Sequence, residues 1–134
     1  MAETLEFELV SPERLLVSEP VDMVTVPGTE GVFGVLPLHA PTLSTLRPGF
    51  IEVYRNGAVA ERYLVTGGFA EVTGSACTVL VDEAVPGDQA TREYAAERLA
   101  KAKDDLAKAM DDDARKIAEA SVRVAESIAR EIAA

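Results

Sequence analysis

Phe50-Ile51-Glu52-Val53-Tyr54-Arg55-Asn56-Gly57-Ala58-Val59-Ala60-Glu61-Arg62-Tyr63-Leu64-Val65 decides the fold class of this 134-residue chain. Two β-prone runs flank Asn56-Gly57. A two-residue type I′ turn needs positive φ at both central positions, and Asn-Gly accepts it most readily. The stretch therefore predicts a hairpin in which Phe50–Arg55 pairs with Ala58–Val65. Outward from it, similar short apolar runs recur at Leu5–Leu9, Leu15–Val17, Val21–Val26, Thr42–Leu46, Phe69–Val72 and Ala76–Val81. Leu5-Glu6-Phe7-Glu8-Leu9 alternates with the period of a strand that has one wet and one buried face. Pro27-Gly28, Pro48-Gly49, Gly67-Gly68 and Thr73-Gly74 supply the turns between runs.

Eight short strands without a helix-length pattern among them predict two antiparallel sheets packed face to face. The expected core includes Phe7, Phe33, Leu43, Leu46, Phe50, Ile51, Val53, Leu64, Phe69 and Leu80. Composition then changes abruptly. All 9 Gly and all 7 Pro lie at or before Gly87, whereas the last 47 residues carry 14 Ala. High helix propensity after Asp88, a candidate N-cap, predicts a helix to about Met110. Asp111-Asp112-Asp113 interrupts it, because carboxylates oppose a helix C-terminus and suit an N-terminus. A second helix is expected from about Ala114 to Ile132, with Ile117, Val124, Ile128 and Ile132 on one narrow apolar face. The expectation is thus an α+β chain, an antiparallel β-sandwich over residues 1–87 followed by an α-helical hairpin over 88–134.

Charge limits the function. The net charge is −10, and up to Gly87 there are 4 basic and 12 acidic residues, net −8. Each phosphate contact needs a local cation, so nucleic acid is a poor partner. The longest uncharged run, Gly31–Leu46, has 16 residues and contains Pro37, His39 and Pro41, too short and too broken to span a bilayer. Met1-Ala2-Glu3-Thr4 lacks the basic-then-apolar layout of a secretory signal, which predicts synthesis in a reducing compartment. One cysteine, Cys77, and one histidine, His39, supply neither a disulfide nor the usual metal cluster. Phosphate-loop, dinucleotide and hydrolase-elbow motifs are missing, so catalysis, metal and cofactor are not expected.

At Val26-Pro27-Gly28-Thr29-Glu30-Gly31-Val32-Phe33-Gly34-Val35-Leu36-Pro37-Leu38-His39-Ala40-Pro41-Thr42-Leu43 the sequence becomes specific. Together with Leu46-Arg47-Pro48-Gly49, Gly67-Gly68-Phe69-Ala70-Glu71-Val72 and Val79-Leu80-Val81, in this order, it resembles the epsilon subunit of bacterial F-type ATP synthases. The resemblance extends over the whole chain. Gly31-Val32-Phe33-Gly34 and Thr42-Leu43-Ser44-Thr45 are equally similar to the mitochondrial counterpart, called delta, which leaves bacterial and organellar origins both open.

The resemblance implies a non-catalytic rotor subunit of the central stalk, clamped between the gamma subunit and the c-subunit ring and coupling ring rotation to ATP synthesis. It would be a peripheral protein on the cytoplasmic face of the bacterial inner membrane, held there only through the complex. By the same resemblance Gly31, Val32, Phe33 and His39 are candidates for c-ring contact; core packing is the competing role for Phe33. The helical arm in this family can rise along gamma and block ATP hydrolysis, and by the resemblance Arg115, Lys116, Arg123 and Arg130 are candidates for contact with the alpha and beta subunits. A solvated helix carrying these residues paired with Glu119 and Glu126 is the plain alternative. The family's ATP motif is degenerate around Thr91, Arg92 and Tyr94: Thr91 and Tyr94 stand where Asp and Arg are called for, and a shifted match through Asp88 and Arg92 is one residue too long. Two other functions stand beside the inhibitory-arm reading, the same subunit with a permanently folded arm and a free-standing sandwich adaptor.

Overall fold

The computed structural model describes residues 4–134. The N-terminal stretch read for a signal layout lies, for residues 1–3, outside the described residues. The chain divides into two compact units, one ending at Gly87 and one running from Asp88 to Ala134.

Ten strands build the first unit: β1 (Leu5–Val10), β2 (Leu15–Val21), β3 (Met23–Gly28), β4 (Gly31–Val35), β5 (Thr42–Leu46), β6 (Gly49–Arg55), β7 (Ala58–Val65), β8 (Gly68–Thr73), β9 (Ala76–Val81) and β10 (Ala84–Pro86). They form one hydrogen-bonded sheet in the order β10-β7-β6-β3-β5-β8-β9-β1-β2, with β4 on β3. The single register pair Gly28↔Leu46 joins β3 to β5. At this corner the sheet folds over and its two halves enclose a common core, which is the expected sandwich. The hairpin forms as read, with Phe50 opposite Leu64 and Arg55 opposite Ala58. Asn56 and Gly57 both take positive φ, at 55° and 78°. One pairing departs from the all-antiparallel expectation: β1 runs parallel to β9, Phe7 facing Cys77. Strands β4 and β10 were not expected. Glycines at both Gly31 and Gly34 thin the β4 pattern, and β10 is only three residues long.

Alternation fills the core with Val24, Val26, Val35, Ile51, Val53 and Val65 from one half and Leu5, Phe7, Leu9, Leu46, Ala70, Val72, Cys77, Val79 and Val81 from the other. Phe33 is half-buried against it, and Leu64 is also buried. Phe50 is half-buried beneath the Arg62 guanidinium, 3.9 Å from its ring centre. Leu43, Phe69 and Leu80, expected inside, are instead 71%, 51% and 48% exposed. Strand parity is the reason: the inward positions of β8 and β9 belong to Ala70, Val72, Cys77, Val79 and Val81, which leaves Phe69 and Leu80 on the other face. Gly68, at φ 146°, fits where no side chain does, since a Cβ there would lie 2.0 Å from the Leu80 carbonyl oxygen.

The second unit is a pair of helices, α1 (Arg92–Lys108) and α2 (Asp112–Ala133), packed on each other. Thr91, not Asp88, caps α1, its hydroxyl accepting the Tyr94 N–H at 3.2 Å. Asp88 is consumed in the turn that follows Pro86. Asp111 caps α2, accepting the Ala114 N–H at 2.7 Å. Helix α1 ends before Met110, whose backbone neighbour Ala109 is already extended. Ala95 and Ala102 on α1 and Ala118, Ala125 and Ile128 on α2 are the buried positions, two of the pairs seven residues apart. Ile117, expected on the packed face, is 69% exposed. It borders an open cleft at the helix turn with Ala109, Met110 and Ala114, where small side chains leave it uncovered.

Candidate interaction surfaces

The uncharged run Gly31–Leu46 carries the first surface. Gly31 and Val32 sit at the exposed start of β4, with Val32 59% accessible. Phe33 points back toward the core and is 6.4 Å, ring to ring, from His39. His39 is half-buried, its Nδ1 2.7 Å from the Ala40 carbonyl and its backbone N–H bonded to the Leu36 carbonyl at 3.1 Å. Of the four contact candidates, then, Gly31 and Val32 face outward, while Phe33 and His39 brace the segment. Three further apolar residues of the run are also open: Leu36 at 55%, Leu38 at 70% and Leu43, expected in the core, at 71%. Their signal was the run itself, since apolar residues without a periodic partner are the ones a fold cannot hide. A cleft of about 370 Å³ lies between the β3–β4 turn and β5, lined by Glu30, Gly31, Phe33 and Leu43 among others.

A second apolar surface crosses the outer side of β8, β9 and β1. Phe69 is opposite Leu80 and Leu80 is opposite Val10 in register, so the three make one row. The row borders a cleft of about 370 Å³ that continues to Pro12 and Asp82. The next row along carries Glu71, Thr78 and Glu8, where the Thr78 hydroxyl reaches Glu8 at 3.5 Å. An apolar row beside carboxylates suits a partner with an apolar patch and basic rim.

The arm presents Arg115, Lys116, Arg123 and Arg130, all exposed. Arg115 lies 3.9 Å from Asp112, and Arg130 donates to the Ser127 hydroxyl at 3.1 Å. Lys116 and Arg123 have no ion pair among the described residues, and the expected pairing with Glu119 and Glu126 does not form. At the start of α1 the residue types of the degenerate nucleotide motif are otherwise engaged: Thr91 caps the helix, and the Tyr94 hydroxyl accepts from Arg98 at 3.2 Å. Arg92 is exposed.

A polar cluster closes the sandwich elsewhere. Arg55 bridges Glu19 on β2 and Glu61 on β7, and the Tyr63 hydroxyl donates to Glu61 at 2.6 Å. Burial, reinforced by that bond, pushes the Tyr63 phenol well above its ordinary range. Burial lowers the Arg55 value, but the two carboxylates outweigh it and hold the guanidinium charged. The Cys77 thiol is buried and pushed up to about 11, so it packs as an inert hydrophobe. Among the described residues no group of His, Cys, Asp and Glu is placed to hold a metal ion, and no helix is long and apolar enough to cross a membrane.

Comparison with known proteins adds what geometry alone does not. Residues 4–87 match the family model for the ATP synthase Delta/Epsilon chain, beta-sandwich domain. The ATP synthase epsilon chain of Rhodospirillum rubrum is 61% identical over 104 residues, 78% of either chain. That of Paramagnetospirillum magneticum is 53% identical over the same length and shares. Among solved structures, a chain of the Euglena gracilis mitochondrial ATP synthase, an OSCP/F1/c-ring assembly, superposes with a TM-score of 0.73 at 30% identity, over 97% of this chain and 81% of that one. A chain of the Tetrahymena thermophila mitochondrial ATP synthase central stalk and c ring shares the fold, with a TM-score of 0.63 at 19% identity, over 93% of this chain and 96% of that one. The family-model match over residues 4–87, the 61% identity to an epsilon chain and the fold shared with chains of ATP synthase assemblies show that this chain belongs to the ATP synthase delta/epsilon family, as a stalk subunit of that complex rather than the catalytic one.

Proposed function

We propose that the chain couples rotation of a c-subunit ring to ATP synthesis through gamma, sitting peripherally on the cytoplasmic face of the bacterial inner membrane. The observation that carries this reading is the pair of unsatisfied surfaces on one rigid sandwich. The open, uncharged segment around Val32 supports contact with the ring. The Val10–Phe69–Leu80 row, edged by Glu8 and Glu71, supports contact with gamma. A unit that grips both transmits torque without chemistry of its own. The c-ring role falls on Gly31 and Val32 as touching residues and on Phe33 and His39 as their supports.

For the arm, the unpaired Lys116 and Arg123, with Arg115 and Arg130 on the same helix, support docking on acidic alpha and beta surfaces and inhibition of ATP hydrolysis. The engagement of Thr91 and Tyr94 in the α1 cap favours a second reading, in which nucleotide does not bind and the arm stays folded. A photo-crosslinker on a cysteine at Val32 is expected to label c subunits in the assembled enzyme, and one at Leu80 to label gamma. The buried Cys77 stays unmodified. Labels confined to the catalytic head would remove this placement.

A further inference from the structure

Strand parity gives most inward positions of the sandwich to apolar residues, yet at one end it gives them to charges. Glu19 on β2 is in register with the core residue Phe7, Glu61 on β7 with Val53 and Tyr63 on β7 with Ile51, while Arg55 follows Val53 by two positions along β6. Alternation therefore turns all four toward the space between the two halves. An inward carboxylate or guanidinium is costly unless a partner of opposite charge meets it. Here the partners are one another. The Arg55 guanidinium reaches Glu19 in one half and, at 3.4 Å, Glu61 in the other, and the Tyr63 hydroxyl donates to the second Glu61 oxygen at 2.6 Å. A second hold lies beside the first. Between β2 and β3 the chain crosses from one half to the other at Asp22, whose N–H donates to the Tyr54 carbonyl at 3.0 Å and whose Oδ2 accepts the Asn56 N–H at 2.7 Å.

Strand β2 has little else to hold it. It stands at the end of the strand order, with a ladder to β1 along one edge only. Of its inward positions Val21 is buried, Val17 is half-buried and the one between them is Glu19. We propose that Glu19, Arg55 and Glu61 form a charged clasp that controls local opening of β2. Closed, the clasp keeps the middle of the strand on the end of the β6–β7 hairpin. Released, β2 lifts away from β1 with Asp22 as its fixed end, while the rest of the sandwich stays folded. The side chains of Arg55, Glu19 and Glu61 are 32%, 32% and 38% exposed, so the hold answers to ionic strength.

Amide hydrogen exchange of the full chain, read for β2 relative to β8 and β9 in the same sample, tests the clasp. Raising the ionic strength from about 0.01 M to about 1 M shortens the screening length from ~30 Å to ~3 Å and is expected to speed β2 exchange severalfold. Arg55→Met, which keeps the apolar stem and removes the charge, is expected to speed it ~5-fold and to abolish the salt effect. Arg55→Lys keeps the charge but loses the fork that spans two carboxylates, and is expected to fall between the two. Acceleration in Arg55→Met that is spread evenly over β2, β8 and β9 makes Arg55 a general stabiliser and overturns the clasp. Parental β2 exchange that ignores salt overturns it as well. Arg55→Lys exchanging as fast as Arg55→Met overturns charge as the holding force.

Discussion

Cys77 shows how a single side chain fixes a pH limit. Its thiol faces Phe7 across the parallel β1–β9 pairing and is fully buried. Burial raises its pKa from 9.0 to about 11. Because the folded value lies above the unfolded one, the neutral thiol's contribution is whole below about pH 9 and is lost as pH rises through about 11. Tyr63, raised by burial and by its bond to Glu61, adds a loss in the same direction at still higher pH. The urea midpoint is therefore expected to fall between pH 9 and 11, and Cys77→Ala is expected to flatten that fall by removing one titrating group. A Cys77→Ala chain whose midpoint follows the parental curve would contradict the assignment. The same burial predicts that thiol reagents at pH 8 label Cys77 only in urea. Gly68 teaches a related lesson: no Cβ fits beside the Leu80 carbonyl, so the β8–β9 pairing requires glycine there.

Among elements, the β6–β7 hairpin was the most legible, since Asn56-Gly57 states its turn in two residues and the flanking strands state their faces. Strand β4 was hidden, because Gly31 and Gly34 erase the apolar alternation, and so was the turn after it, because Leu38, at φ 64°, occupies a place where glycine would have announced it. Phe69 and Leu80 were misplaced for a different reason. Hydrophobicity suggests burial, but only register decides which face of a strand is buried, and register depends on partners distant in sequence. Outward apolar residues are the ones a sequence cannot distinguish from core, and here they are also the candidate contacts. The helices were legible as elements and blurred at their ends. Thr91 outcompeted Asp88 as N-cap because Asp88 lies in the preceding turn, whereas Asp111 was legible as part of an acidic triplet. Losing that cap, worth ~1 kcal/mol in a typical helix, is expected to speed hydrogen exchange of the Ala114 amide about fivefold in Asp111→Ala. Exchange unchanged at Ala114 would mean that the start of α2 is held by other groups.

At the scale of the molecule, the two compact units differ sharply in composition. Glycine and proline are confined to the turn-rich sandwich, and alanine spacing gives the arm close helix packing with little apolar area, a weak glue at ~25 cal/mol per Å². Two exposed surfaces on one folded sheet suit a coupling piece, and the strongly acidic balance of that unit suits basic-rimmed neighbours, with contacts that weaken as salt screens them. The most direct measurement of the central claim is ATP-driven proton pumping, read beside ATP hydrolysis, in membranes whose enzyme is assembled without this chain, with the full chain, or with the chain ended at Gly87. The full chain is expected to restore pumping, and the shortened one to restore it with faster hydrolysis. Pumping that is equal with and without the chain would contradict a coupling role, and hydrolysis unchanged by the loss of α1 and α2 would contradict an inhibitory arm.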